Sequence, residues 1–250
     1  MGKTTTAINL ATALAAEHRV LLVDLDPQGN ASTGLGLDRA SRGMGAYALL
    51  VGDQPLAAVI QKTSVPDLAL IAADPDLAGA EIELVDLPSR ERRLRNALAA
   101  APDALKPFDY VFLDCPPSLG LLTLNALVAA EGVLVPLQCE FFALEGVSQI
   151  TQTIDRVRRG LNPALMLEGI VLTMFDRRNN LSEAVAQDVR GFFKDKVFET
   201  VIPRNIRISE APSHGLPVTL YDFRSPGAQA YVRLAAEFRR RDRARRRAAA

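Results

Sequence analysis

Tryptophan is absent from the 250 residues, cysteine and histidine occur twice each, and aromatic residues make up only 6%. Two cysteines, Cys115 and Cys139, are too few for a disulfide scaffold or for a four-cysteine zinc site within one chain, so reduced thiols are expected. No apolar run reaches the roughly 18 residues that a membrane-spanning helix needs. The first residues also lack the basic-then-apolar order of a signal peptide, which predicts a cytoplasmic protein. Net charge is lacking as well, with 29 basic against 29 acidic residues, yet the balance is uneven along the chain. Residues 239–250 hold seven arginines and one acid, Asp242, and the remainder, with 22 basic and 28 acidic residues, is net −6. Any polyanion contact is therefore expected to be local, on this basic C-terminal tail or on small basic patches; a solvated helix end is the alternative reading of the tail. What is present, 48% apolar and 23% charged, excludes disordered and fibrous classes and is enough for a sizeable core.

Six short runs rich in branched aliphatic residues stand out, each bounded by Gly, Pro, Asp or Asn: 20–24, 68–72, 110–114, 132–137, 169–174 and 197–202. They are continuous rather than alternating, as strands buried on both faces are. Helical spacing runs through 5–16, 81–100, 121–130, 144–158, 182–194 and 226–241, and 34–66 is the least regular stretch. The alternation predicts an α/β fold with a mostly parallel sheet and helices on both faces. With no repeat or linker, residues 1–250 read as a single domain.

The chain opens Gly2-Lys3-Thr4-Thr5-Thr6 directly before a helical pattern, the second half of a phosphate-binding loop. Glycine lets backbone N–H groups approach phosphates, the helix N-terminus adds a positive dipole end, lysine reaches the β- and γ-phosphates, and the first hydroxyl ligates Mg²⁺. Four residues alone also fit a plain helix start. Two later segments add weight: residues 20–26 deliver Asp24 and Asp26 to a turn, and 110–114 end in Asp114, where a carboxylate can hold hydrated Mg²⁺. In an open parallel sheet all three converge beyond the carboxyl ends of the strands.

These segments, together with Pro27-Gln28-Gly29-Asn30, Cys115-Pro116-Pro117-Ser118, Phe142-Ala143-Leu144-Glu145-Gly146 and the run from Ile202 to Gly215, resemble the ParA/Soj partition ATPases of the deviant Walker A group. The resemblance covers essentially the whole chain and implies a P-loop NTPase fold, ATP and Mg²⁺ as cofactors, and weak, partner-stimulated ATP hydrolysis. It also implies an ATP-dependent homodimer, non-specific DNA, a ParB-like partner and a nucleoid-associated location. One departure stands out. The family's loop is Lys-Gly-Gly-Val-Gly-Lys-Thr after a central strand, and here that first strand, the signature lysine and both glycines are missing, with Met1 at the valine position. The expected cause is a start assigned within the loop at a GTG codon, and the expected consequence is unpaired backbone on two neighbouring strands and weak nucleotide binding.

By resemblance, Gly2, Lys3, Thr4 and Thr5 cradle the phosphates, Thr4 ligates Mg²⁺, and Asp114 holds the ion through water. Lys3 neutralises phosphate charge and Asp26 positions the attacking water. Asp24 has two readings, support of the Mg²⁺ shell or a structural role. Pro203 and Asn205 match the adenine-contacting segment, and Arg178 and Arg207 match the DNA-binding arginines, a residue type that grips phosphate oxygens without reading bases. Arg177, Arg204 and Arg224 extend the patch. A related membrane-cycling group uses a basic amphipathic C-terminal helix, but the run 239–247 has no large apolar residue to insert, so no membrane partner is expected. Tyr47, Phe108, Phe141, Phe142, Phe192 and Phe193 read as core or helix-face residues, Cys115 as a packing residue, and His18 and His214 show no pairing with a carboxylate.

Overall fold

A computed structural model describes residues 2–249; Met1, expected at the loop's valine position, and Ala250, the end of the basic tail, lie outside the described residues. Helix α1 (Lys3–Ala15) leads into β1 (Val20–Asp24). The irregular stretch holds α2 (Asn30–Gly34), α3 (Ala46–Leu50), α4 (Leu56–Val59) and the short β2 (Gln61–Lys62), followed by β3 (Leu68–Ile71). Next come α5 (Leu77–Glu83), α6 (Arg93–Ala99), α7 (Pro102–Leu105) and β4 (Tyr110–Asp114), then α8 (Leu121–Ala129), β5 (Gly132–Gln138), α9 (Ala143–Gly160), β6 (Met166–Thr173) and α10 (Asn180–Phe193). Two short helices, α11 (Ile206–Glu210) and α12 (Val218–Tyr221), precede the long α13 (Pro226–Ala249). Residues 239–249 thus continue a helix rather than leaving the body as a separate tail.

The expected parallel pairing is present, but among the described residues it falls into two sheets. One runs β2-β3-β1-β4, with only β2 antiparallel, and the other pairs β5 with β6 in parallel. No ladder joins β4 to β5, so each has one edge without strand partners. This is visible in burial: β1 is buried at all five positions, whereas β4, expected to be covered on both faces, is only half-buried and Val111 is 38% exposed.

Residues in β1 alternate between two cores, as a period of two requires. Leu22 faces α1 and α13 with Ile8, Leu10, Leu14, Tyr231 and Leu234, while Leu21 and Val23 face Leu50, Leu77, Leu94 and Leu122. Strands β5 and β6 build a further cluster with Val147 of α9 and Val189 of α10. The α1–α13 layer spans both sheets, since Val171 of β6 lies in its core and Phe112 of β4 and Leu134 of β5 pack against it. On the opposite face α8 does the same, sending Leu122 and Ala126 into the four-stranded side and Val128 against Ile154 and Val157 of α9.

Two sequence expectations change. The single helix expected over 81–100 is broken: α5 ends in a 3₁₀ turn at Leu84–Asp86, Pro88 removes an amide donor, and Ser89 takes a left-handed backbone at φ 53° before α6 begins. The strand expected over 197–202 lies beside β6 but forms only isolated parallel bridges, Ile170–Val197 and Phe175–Pro203. The reason is Glu237 on α13, whose carboxylate accepts the N–H groups of Glu199 and Thr200 at 2.8 Å each and draws that backbone out of the ladder.

Glu237 is 3% exposed and also pairs with Arg241 at 2.8 Å. Burial pushes its carboxyl up, but the two N–H donors and Arg241 outweigh it and hold the group below its ordinary 4.5. Its stabilising effect is therefore complete above about 4.5 and fades as pH falls through the lower folded value. Glu237→Ala is expected to cost about 2–4 kcal/mol in urea unfolding at pH 7 and to flatten the acid limb of the stability profile.

Candidate functional site

The carboxyl ends of β1, β4, β5 and β6 and the N-terminus of α1 meet at one edge. Gly2 begins α1 in a left-handed conformation, φ 74°, with no side-chain cap, so the first amides of the helix stay free for a ligand. A side chain at that position would be strained, and its Cβ would touch the Thr173 hydroxyl at 3.7 Å. Thr173 ends β6 and is buried, and its hydroxyl has no hydrogen-bond partner among the described residues.

Asp24 and Asp114 sit directly opposite each other in the β1–β4 ladder, so two carboxylates share one buried end of the sheet. Asp24 is fully buried and fully bonded: Oδ2 accepts from the Ser32 N–H at 2.8 Å and hydroxyl at 2.7 Å, and Oδ1 from the Asp26 N–H at 3.2 Å. Ser32 in turn accepts the Ala73 N–H, tying β1, α2 and the end of β3 together. Of the two readings of Asp24, this geometry favours the structural one. Burial nonetheless pushes its pKa up, and its bonds to Ser32 and Asp26 offset only part of that. Asp26 is buried, and its Oδ1 accepts the Gln28 N–H at 3.0 Å, closing the turn that places it against the site.

Asp114 is the group with unmet demand. Burial raises its carboxyl to about 7, the Thr4 hydroxyl lowers it, and Asp24 and Asp26 raise it further. Its Oδ2 is buried without a partner among the described residues. Lys3 adds positive charge nearby, with Nζ donating to the Pro116 carbonyl at 2.8 Å just beyond β4. No group of three His, Cys, Asp or Glu residues is arranged to hold a metal ion among the described residues. An orphaned carboxylate oxygen beside a threonine hydroxyl does fit a hydrated Mg²⁺ that takes its other ligands from phosphates and water.

Beside this junction a cavity of about 270 Å³ is lined by Thr4, Thr5, Asn9, Asn30, Thr33 and Pro212. Pro203 and Asn205 do not line it. Pro203 bridges to Phe175, and Asn205 caps α11 by accepting the Arg207 N–H at 3.1 Å; the cavity is reached instead by Ala211 and Pro212 of the same run and by Leu216 just after it. Arg178, on the loop after β6, and Arg207, in the first turn of α11, come from adjoining segments, because the Arg204 N–H donates to the Phe175 carbonyl at 3.0 Å. Arg178 forms a two-point pair with Asp176, and Arg207 pairs with Glu210 and Asp222. Exposed pairs of this kind are worth little, so phosphate can displace the acids.

Nothing in the local sequence marks Arg42. It is 5% exposed and forms no ion pair among the described residues, and its guanidinium donates to the Gly29 carbonyl, the Thr33 hydroxyl and the Ala73 carbonyl at 2.8–3.2 Å. It thereby pins the loop after Asp26 onto the end of β3. Asn9 was also missed: its Oδ1 accepts the Val218 N–H at 2.7 Å and its amide donates to the Thr5 carbonyl, anchoring α1 to α12. Phe141, Phe142 and Phe192, expected in the core or on helix faces, are 72–75% exposed, because they follow β5 or end α10 at the surface. Cys115 packs as expected, and burial pushes its thiol up to about 12. His18 does have a carboxylate neighbour, Asp109 at 3.5 Å, at the far end of α1.

Strand-borne carboxylates facing a Gly-Lys-Thr helix start at the carboxyl edge of a parallel sheet define a P-loop NTPase of α/β type, and residues 1–167 match the family model described as an AAA domain. The chain is 58% identical over 244 residues to the chromosome partitioning protein ParA of Caulobacter vibrioides, covering 97% of this chain and 91% of that protein. It is 53% identical to the sporulation initiation inhibitor protein Soj of Bacillus subtilis, covering 95% and 93%. The chain belongs to the ParA/Soj family of chromosome-partitioning ATPases. Among solved structures, cobyrinic acid a,c-diamide synthase from Mycobacterium smegmatis with bound ADP and magnesium superposes with a TM-score of 0.79 at 39% identity, over 94% of this chain and 87% of that one.

Two outcomes test the site. A carboxyl held at about 7 when folded and near 3.8 when unfolded keeps its proton longer in the folded chain, so stability falls as pH rises between those values. Asp114→Asn is expected to flatten that slope and to gain about 1–4 kcal/mol at pH 8 in nucleotide-free urea unfolding. Arg42→Met strands the Gly29 and Ala73 carbonyls in a buried place and is expected to cost about 2–4 kcal/mol in the same assay.

Proposed function

We propose that this chain is an ATP-dependent DNA-partitioning ATPase that pairs into a homodimer on binding ATP and holds DNA without sequence preference. A ParB-like centromere-binding partner stimulates its otherwise weak hydrolysis and releases it from a nucleoid-associated position in the cytoplasm. The observation that carries this reading is the junction of Lys3, Thr4 and the orphaned Asp114 carboxylate at the free N-terminus of α1. Lys3 exchanges the Pro116 carbonyl for β- and γ-phosphate oxygens, and the amides from Gly2 to Thr5 complete the cradle. Thr4 would ligate Mg²⁺ and Asp114 would hold its water shell; when bound, the ion supplies charge neutralisation on the phosphates. Asp26, fixed by its own turn and by the loop that Arg42 pins, orients the attacking water.

Two further features support the dimer and DNA parts. Leu119, Phe141 and Phe142 are exposed on the loops after β4 and β5, at the same edge as the site, which suits burial against a second copy. Arg178, on the loop after β6, and Arg207, on α11, lie on adjoining segments, so a dimer presents two such patches together and multiplies the phosphate contacts. The Lys-Gly-Gly half of the family's loop is needed for full turnover, since it supplies further amide donors and the lysine that reaches the partner's phosphates.

Retention of a long non-specific duplex at low and moderate salt tests this reading, with the chain as it stands compared with one extended by the family's strand and Lys-Gly-Gly-Val before Gly2. Binding gained by ATP and Mg²⁺ is expected in the extended chain. It should vanish in Arg178→Ala/Arg207→Ala with nucleotide binding kept, and persist without hydrolysis in Asp26→Ala. DNA retention that ATP does not change in the extended chain overturns it.

A further inference from the structure

Residues 38–44 run over the surface and bury one side chain, Arg42. Its guanidinium enters the body behind the turn that carries Asp26. Nη2 donates to the Gly29 carbonyl at 3.1 Å and to the Thr33 hydroxyl at 2.8 Å, and Nη1 to the Ala73 carbonyl at 3.2 Å, two residues past β3. Gly29 is where the turn closes: its N–H donates to the Asp26 carbonyl at 2.8 Å, while the Gln28 N–H donates to the Asp26 carboxylate at 3.0 Å. The backbone of Gly29 is left-handed, φ 64°, and a Cβ there would come within 3.0 Å of three guanidinium atoms. Thr33 lines the cavity beside Thr4, so Arg42 stands one hydroxyl behind its wall. The loop is held from its outer side as well, since Asp74 accepts the Gly45, Tyr47 and Ala48 N–H groups at 2.9–3.2 Å and Gln61 donates to the Arg42 carbonyl.

We propose that Arg42 is a positioning residue for hydrolysis: acting through Gly29, it fixes the direction of the Asp26 carboxylate and sets turnover rather than nucleotide affinity. This rests on Asp26 as the residue that orients the attacking water. A guanidinium buried without an ion pair is unfavourable, and an apolar side chain of similar size would fill the space with less desolvation if packing were the whole task. The donors of Arg42 go instead to oxygens of the Asp26 turn and of its anchors, Leu37 and Ala73. Its planar fork reaches Gly29 and Ala73 together, which the single point of a lysine ammonium does not. The Asp26 carboxylate accepts one hydrogen bond among the described residues, from a neighbour in the same turn, so its direction follows the backbone that Arg42 holds. A misplacement of about 1 Å in a reacting geometry costs on the order of a hundredfold in rate, which gives a strap on this turn large kinetic leverage. None of the hydrogen bonds of Arg42 reaches α1, the element whose first turn faces the phosphates, so ground-state binding is left to other residues.

Two measurements test the assignment. In the chain as it stands, without nucleotide, Arg42→Met is expected to speed amide hydrogen exchange over residues 26–34 about tenfold or more and to leave β5 and β6 unchanged. In the chain extended by the family's strand and Lys-Gly-Gly-Val, single-turnover ATP hydrolysis should fall about tenfold or more in Arg42→Met, while affinity for a fluorescent ATP analogue changes by less than about twofold. Arg42→Lys keeps the cation but donates from one point, so its rate should lie between the two; it carries the same comparison if Arg42→Met does not fold. Gly29→Ala, whose methyl displaces the guanidinium, should also slow hydrolysis, and combined with Arg42→Met the cost should be less than the product of the two. Unchanged exchange over 26–34, a full rate in Arg42→Met, parallel loss of rate and affinity, or costs that simply multiply would each overturn the role of Arg42. A full rate in Asp26→Ala would instead overturn the reading of Asp26 on which it rests.

Discussion

Helix α1 is the part on which the rest depends. Two sheets that share no backbone hydrogen bonds among the described residues are held in one body largely by apolar contact across this helix and its neighbour α13. Ile8, Leu10, Ala11 and Leu14 are buried, and the side chains opposite them come from β1, β3 and β6, with β4 and β5 at the margin. Asn9 locks the helix laterally to α12, and Tyr231 of α13 contacts the Thr6 hydroxyl. The helix cannot shift without breaking the core that joins it to strands of both sheets, and its first turn is also the phosphate-facing end. Structural stability and ligand geometry therefore rest on the same thirteen residues.

Around that first turn the electrostatics are unbalanced by design of the fold. Parallel pairing in register places Asp24 opposite Asp114, and the turn after β1 adds Asp26, against a single nearby lysine. Asp24 is neutralised in effect by Ser32 and the Asp26 amide, and Asp26 by the Gln28 amide, so each serves the backbone. Asp114 alone keeps an unmet oxygen. Burying a carboxylate without full pairing is unfavourable, and a site that tolerates it is one suited to a cation or to a ligand that brings one. Arg42 answers the same constraint on the other side of the loop, as a buried cation paid only in carbonyl and hydroxyl oxygens.

Much of this was legible in order along the chain. Continuous aliphatic runs ending in Asp24 and Asp114 announced buried parallel strands, and Gly2-Lys3-Thr4 before a helical pattern announced a phosphate-binding start. Period and punctuation placed α1, α8, α9 and α10 within a residue or two. What escaped was long-range. Nothing local to 197–202 shows that Glu237, some 37 residues later, will take its amides, and nothing local to Arg42 shows that Gly29 and Ala73 will surround it. The exposed Phe141 and Phe142 mislead for the same reason, since an aromatic residue carries no mark of whether its strand end meets a core or solvent.

The sequence by itself determined the strand–helix alternation, the carboxyl-edge convergence and the family, because these follow from side-chain periodicity and from a few spaced motifs. Tertiary structure alone decided that Asp24 is bonded while Asp114 is orphaned. Local pattern sets which residues are buried; only the packing of distant segments sets which buried polar groups find partners.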